Sequence, residues 1–422
     1  MRQRILATLF IAFLASLAGF SRFAAVGNRM VLAFQPVFGS DAETGSPKVR
    51  LDAGLIRLGG GNWSGLTNAH RYGVIVASAA NANSAGAQPG RALMYACGTN
   101  MPSDQTSALC GVSFAYAAAK GWILRDESGS YVHYKGQYPV LVDIGNRAYQ
   151  RRFIRDVDAD LRRHAGVDGL MIDDVTGSLI SGTEKYRDNA SYRAAMLSFM
   201  KAVGPALKAK GWYVAVNASI LDGSAEALTG PSWDGSQYIW WARQLAGYVD
   251  GINMEHWQQN WDGSDSVRVR GTSGNQGWDG WERLPSVVNK LGKEFYASET
   301  GALTDVKKAS YLRASFLLAW KAGGGAFLYS DAYSGRGDPW RLVATPFIGR
   351  PTGPRHRVGV GFRRAFTSGA VVVNPSASES QTFEFRRKYL MPDGTTTSSV
   401  TLPPASGLVL SRATVPSRAN RP

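Results

Sequence analysis

Cysteine is almost absent from this 422-residue chain, which has two, and histidine is scarce at five. So few and so scattered, they supply no metal-ligand spacing, and no Cys–His pair is available as a nucleophile. No nucleophile-elbow serine is present either. The glycine run Leu58-Gly59-Gly60-Gly61-Asn62 fails the dinucleotide pattern, because Ser64 stands where the last glycine should be. It also fails the phosphate-loop pattern, because Leu66 follows Gly65 where lysine is required. The sequence therefore calls for no metal and no cofactor.

Acid is in deficit: 32 Asp and Glu against 47 Lys and Arg give a net charge of +15 and a pI near 9.8. The basic residues are spread out, with short clusters at Arg151-Arg152, Arg162-Arg163, Arg363-Arg364 and Arg386-Arg387-Lys388. No helix-turn-helix, zinc-finger or RNA-recognition signature accompanies them, so no nucleic-acid partner is expected. The charge fits a solvated basic surface, or a partner such as an acidic glycan or an anionic cell envelope.

Long apolar runs are missing beyond the N-terminus. There, Arg2 and Arg4 precede an apolar stretch from Ile5 to Phe20, followed by Ala24-Ala25. This reads as a secretory signal peptide over residues 1–25, with a retained anchor as the alternative. Export would permit a disulfide between Cys97 and Cys110; two buried free thiols are the other reading.

What the chain does have is rhythm. Residues 26–71 read as a lead-in segment. From Tyr72, short apolar runs end in polar residues, with helical patterns between them. The runs are Tyr72–Ser78, Arg91–Ala96, Tyr138–Ile144, Gly169–Asp173, Trp212–Asn217, Val249–Glu255, Glu294–Glu299 and Gly325–Ser330. Helices are predicted over Arg147–His164, Lys185–Lys208, Gln237–Gly247, Trp281–Leu291 and Asp305–Ala322, the first capped by Asn146. Eight strands alternating with helices predict an α/β fold, a (β/α)8 TIM barrel over residues 72–348. The long link from Cys97 to Gln137 is expected to shape the cleft. Past Gly349-Arg350-Pro351, alternating stretches separated by turns predict a small all-β domain over 355–411, with a disordered tail over 412–422.

The ends of the apolar runs carry Asp143, Asp173 and Asp174, Asn217, Glu255, Glu299, then Ser330 and Asp331. In a barrel these converge on one mouth. Two carboxylates facing a scissile bond, one ionised and one protonated, are the requirement for glycoside hydrolysis. Aromatics gather near the same ends, among them Trp257, Trp261 and Tyr329, and the two tryptophans read as sugar-stacking platforms. His256 reads equally as a cleft donor or a structural histidine, and Asp143 equally as a turn-stabilising residue or a substrate contact. Asp173 and Asp174 are neighbours on a strand, so only one of them should face the mouth.

Three stretches, Val140-Leu141-Val142-Asp143-Ile144, Val167-Asp168-Gly169-Leu170-Met171-Ile172-Asp173-Asp174 and Asp250-Gly251-Ile252-Asn253-Met254-Glu255, carry a resemblance. With Val214-Ala215-Val216-Asn217 and the later Gly369-Ala370-Val371-Val372-Val373-Asn374-Pro375, they resemble the hypothetical glycosyl hydrolase 15 group. More distantly they resemble the endo-α-1,4-polygalactosaminidases and the α-galactosidase and α-amylase superfamily. The resemblance implies a barrel glycosidase acting on a polysaccharide or oligosaccharide. It assigns the nucleophile to Asp173, at the end of the fourth strand. Glu255 is then the expected general acid/base, with Glu299 in reserve. Asp143, Asp174, Asn217, His256, Trp257, Trp261, Glu299 and Tyr329 are expected around the substrate. Asn217 stands where the amylases carry a glutamate, so that acid does not carry over. A retaining mechanism is expected if the two carboxyl groups lie about 5 Å apart, and an inverting one at about 6.5–9.5 Å. The alternative is a non-catalytic carbohydrate-binding protein on the same scaffold.

Overall fold

The computed structural model describes residues 56–59, 73–86, 90–103, 111–133, 139–178, 183–218, 235–260, 266–271, 277–302, 304–330 and 348–413. The N-terminal 1–25 segment, Cys110, Trp261 and Asp331 lie outside the described residues.

Eight parallel strands form one sheet. In spatial order they are β1 (Ile56–Gly59), β2 (Val74–Ala77), β3 (Arg91–Ala96), β6 (Gly169–Ile172), β7 (Tyr213–Asn217), β8 (Gly251–Glu255), β9 (Glu294–Thr300) and β10 (Gly325–Ser330). The sheet curls until β1 lies beside β10, giving a nearly closed barrel. No ladder joins those two strands among the described residues. The helices between strands are α3 (Arg147–Arg162), α4 (Asn189–Lys208), α5 (Gly235–Leu245), α6 (Trp278–Lys290) and α7 (Val306–Ala319). Two short helices, α1 (Ala82–Gly86) and α2 (Phe114–Ala119), precede them. As predicted, Asn146 caps α3: its Oδ1 accepts from the Ala148 and Tyr149 N–H groups at 2.9 and 3.3 Å. Phe153, Val157 and Leu161 bury the inner face of that helix.

One predicted strand is not in this sheet. Val140–Leu141 (β5) pairs antiparallel with Asn100–Met101 (β4) inside the excursion after β3. Its neighbours are bridged to the same excursion, Ile123 to Val142 and His133 to Val140. A run buried on both faces looks the same in sequence whichever strand it pairs with. The place it was expected to take is filled from elsewhere. Ile56–Gly59, within the segment read as a lead-in, pairs in parallel with β2, Ile56 against Val74 through Gly59 against Ala77. The gain and the loss cancel, so Asp173 still follows the fourth strand.

The C-terminal residues form a six-stranded antiparallel sheet of β11 (His356–Val358), β12 (Gly361–Phe366), β13 (Gly369–Asn374), β14 (Gln381–Leu390), β15 (Thr396–Leu402) and β16 (Ser406–Arg412). Its order is β11-β12-β13-β16-β14-β15. Arg412, read as the start of the tail, closes β16. This sheet docks on α7. Arg364 Nη1 donates to the Leu317, Leu318 and Trp320 carbonyls at 3.0, 3.0 and 2.6 Å. A cation at a helix C-terminus satisfies carbonyls that the helix leaves open and opposes its dipole. Trp278 stacks on Phe362 with centroids 5.1 Å apart, which joins α6 to the same interface.

Candidate active site

The barrel interior can be read from which side chains touch. Val74, Val76, Leu93, Met171, Ala215, Tyr296, Ala326 and Leu328 form a cluster separate from the main core, with Tyr95 and Tyr213 against it. The alternate residues, such as Ile172, Val216, Met254, Ala297 and Phe327, belong to the large cluster under the helices. Successive strand residues point to opposite faces. Asp173, Asn217, Ser298, Thr300 and Ser330 therefore continue the inward series. Gly251 joins it independently, because a Cβ there would meet Tyr296 Cε2 at 2.7 Å and Tyr213 Oη at 2.8 Å. Asn253 and Glu255, two and four residues on, face inward with it.

At the N-terminal end the interior is plugged by a polar group. Arg91 pairs with Glu294 at 2.5 Å, donates to Tyr296 Oη at 3.2 Å and lies 3.9 Å from the Tyr213 ring centre. Burial works against the Arg91 charge, and Tyr296, Tyr213 and Glu294 outweigh it, so its pKa is raised. The other end carries a second polar network.

There, one chain of hydrogen bonds crosses four strands. Ser298 Oγ donates to Asn253 Oδ1, Asn253 Nδ2 to Asn217 Oδ1, and Asn217 Nδ2 to Asp173 Oδ1, each at 2.8 Å. The direction follows from the chemistry. An ionised carboxylate only accepts, so Asn217 must turn its amide NH2 toward Asp173, and each later group is oriented in turn. The Asp174 N–H also donates to Asp173 Oδ1 at 2.9 Å, and the Tyr95 hydroxyl donates to Oδ2. Three donors thus hold the carboxylate with both oxygens engaged. Burial and the Asp173 charge push the Tyr95 phenol well above its ordinary value, so it remains a donor.

Asp174 departs to the side. Its φ is +52°, and its carboxylate accepts from Asn100 Nδ2 at 2.7 Å, beyond the end of β3. Only Asp173 of the adjacent pair continues the inward series. Glu255 is level in register with Ser298, one inward layer above Asn253. It is half-buried, like Asp173. Two strand spacings, about 9.6 Å, separate β6 from β8, and two residues along a strand add about 6.6 Å of height. His256 follows Glu255 at φ +53°, and its Nε2 lies 3.4 Å from Thr300 Oγ1.

Four further expected substrate contacts are placed otherwise. Glu299 is one residue out of the inward register and lies fully buried on the helix side, where its Oε1 accepts from the Gln258 N–H at 2.8 Å. A shift of one residue changes the face. Tyr329 also faces the helices and donates to the Ala302 carbonyl at 3.2 Å. Trp257 is no stacking platform: it is completely buried, its Nε1 donates to the Trp281 carbonyl at 2.6 Å, and it meets Phe295 and Phe316 edge-on. Asp143 lies off the barrel, held by Tyr186 Oη at 2.6 Å and by an ion pair with Lys185. Cys97, directly after β3, is a buried free thiol whose pKa burial pushes up. Tyr95, Asn253 and Ser298 were not singled out in the sequence. Counting back by two from Glu255 finds Asn253, but nothing local points to Tyr95, whose role depends on β3 lying beside β6.

No described helix is long and apolar enough to cross a membrane. No curated protein sequence matches the chain. Among solved structures, trehalose-6-phosphate hydrolase of Bacillus licheniformis is similar with a TM-score of 0.49 at 9% identity, covering 86% of this chain and 100% of that one. A sulfoquinovosidase from E. rectale gives 0.47 at 11% identity, covering 88% and 63%. A cycloalternan-degrading enzyme from Trueperella pyogenes gives 0.45 at 10%, covering 86% and 63%, so the chain spans less than two thirds of the length of these last two. The profile of the hypothetical glycosyl hydrolase family 15 matches residues 93–370, which is 278 of the 422 residues, and the chain belongs to that family.

Proposed function

We propose that this protein hydrolyses O-glycosidic bonds of a polysaccharide or oligosaccharide at the C-terminal mouth of the barrel. Membership of a glycosyl hydrolase family supports glycosidic-bond cleavage. The observation that carries the site is the pair of half-buried inward acids, Asp173 and Glu255, on strands separated only by β7. In this reading Asp173, held in place by Asn217, Tyr95 and the Asp174 N–H, attacks the anomeric carbon. Glu255 delivers a proton to the leaving oxygen and then takes one from the attacking water, which is the retaining course. His256 and Thr300 border the same cleft. The reading includes closure of the sheet between β10 and β1 into a full (β/α)8 barrel, and export directed by residues 1–25.

The test is a screen of the mature protein against a panel of polysaccharides for new reducing ends, with Asp173→Asn and Glu255→Gln beside it. Release by the unmutated protein, lost in both variants, is the expected result. Binding without release from any substrate overturns the hydrolase reading. Full activity in Asp173→Asn overturns the assignment of the nucleophile. Proton-NMR observation of the first-formed anomer separates retention from inversion.

A further inference from the structure

Helices α3 and α4 lie side by side on the outside of the barrel and flank an open surface groove of about 420 Å3, within the volume range of ligand clefts at roughly 300–1,000 Å3. Arg147, Arg151 and Lys201, all exposed, line it together with the buried Gln150 and the exposed Ser198.

The charge accounting of these two helices is uneven. Every acid on α3 is engaged elsewhere: Asp156 by Arg152 and Arg155, Asp158 by Arg162 and Lys210, Asp160 by Arg163. Helix α4 contains no acid. Of its cations, Lys208 pairs with Asp250 at 2.7 Å, and Arg193 donates to the Gly177 carbonyl at 2.9 Å. The cations of α3 and α4 without an acidic partner among the described residues are Arg147, Arg151, Lys201 and Arg193, the last held by the Gly177 carbonyl. The first three line the one groove. Like charges gathered on an exposed surface repel to a degree that salt screens, and an anion placed among them relieves that repulsion directly. The first turn of α3, which carries Arg147, adds the positive end of the helix dipole. Gln150 donates to the Ile144 carbonyl at 2.8 Å.

The geometry points to a binding site for the oxyanion group of an acidic polysaccharide, a carboxylate or a sulfate ester, held between α3 and α4. Helix α3 runs toward the start of β6, so its first turn lies at the end of the barrel that carries Asp173. A polymer leaving the mouth can therefore reach the groove. The nature of the polymer rests on the hydrolase reading above; the anion site rests on the groove's charge.

Binding is accordingly read apart from turnover, by affinity electrophoresis of the full mature chain in gels containing polygalacturonate, with Asp173→Asn used to prevent degradation. The triple variant R147A/R151A/K201A should lose affinity about tenfold or more at unchanged melting temperature, and R147K/R151K should largely keep it. The control R386A/R387A/K388A removes as much charge from β14 and should bind within about twofold of the parent. The inference is overturned if the parent does not bind polygalacturonate, if the groove variant binds as the parent does, or if both triple variants weaken equally. It is also overturned if duplex DNA or anionic vesicles bind as tightly through the same three residues. Binding by the unmutated protein with no release of reducing ends would count against the catalytic reading alone.

Discussion

Asp174 and His256, each directly after a proposed catalytic acid, share a backbone conformation that side chains rarely adopt, with φ of +52° and +53°. Each ends the extended run of its strand, so the chain turns aside where Asp173 and Glu255 face the barrel axis. Asp and His are among the residues that tolerate this region best. A β-branched residue does not: His256→Val should lower stability by about 1–3 kcal/mol. His256→Gly should cost far less. Urea unfolding of both variants decides; equal losses would mean that the histidine side chain, rather than the turn, is what matters.

Asn217 presents its amide to Asp173 because Asn253 and Ser298 orient it from behind. Asn217→Asp replaces that donor with a second carboxylate. Like charges raise the pKa of one of the pair. A nucleophile must be ionised, so the acidic limb of the pH–rate profile should move to higher pH, with activity recovered as the pH rises. An unmoved limb would argue that Asp173 is not the ionised partner.

Tyr95→Phe removes one donor from Asp173 and leaves the ring in place. Hydrogen bonds to charged groups contribute about 1.5–3 kcal/mol, so kcat/KM should fall roughly 10- to 150-fold. The fall should appear in kcat, with the fold retained by circular dichroism. A change confined to KM would assign Tyr95 to substrate binding instead.

Asp158 ties α3 to the residue before β7. It accepts from Trp212 Nε1 at 2.8 Å, Lys210 Nζ at 3.0 Å and Arg162 Nε at 3.1 Å. Burial works against its charge, but Trp212, Arg162 and Lys210 prevail and bring its pKa down to about 2. An unfolded aspartate titrates near 3.9. The stabilisation is therefore complete above about pH 4 and is lost as the pH falls through about 2. Asp158→Asn should melt below the parent at pH 7, and the gap should narrow as the pH drops from 4 to 2. A gap independent of pH would assign the effect to geometry rather than charge.

Local sequence determined much of this protein. The helices between the strands, the Asn146 cap and seven of the eight barrel strands were legible, because period and turn chemistry act over a few residues; so was the C-terminal sheet, except that Val358–Phe366 reads as one stretch where His356–Val358 and Gly361–Phe366 form a hairpin. Asp173 and Glu255 drew attention in the same way, as acids ending apolar runs, and the strand register turns both inward. Only the tertiary structure decided which strand pairs with which, and that removed Tyr138–Ile144 from the barrel and admitted Ile56–Gly59. It also decided facing. Glu299 and Tyr329 sit at strand ends, yet one residue of register turns them to the helix side. Trp257 became core and Tyr95 became a partner of Asp173 because distant segments converge there. A residue's identity is local, whereas the face it shows and the group it meets are set by the closure of the whole sheet.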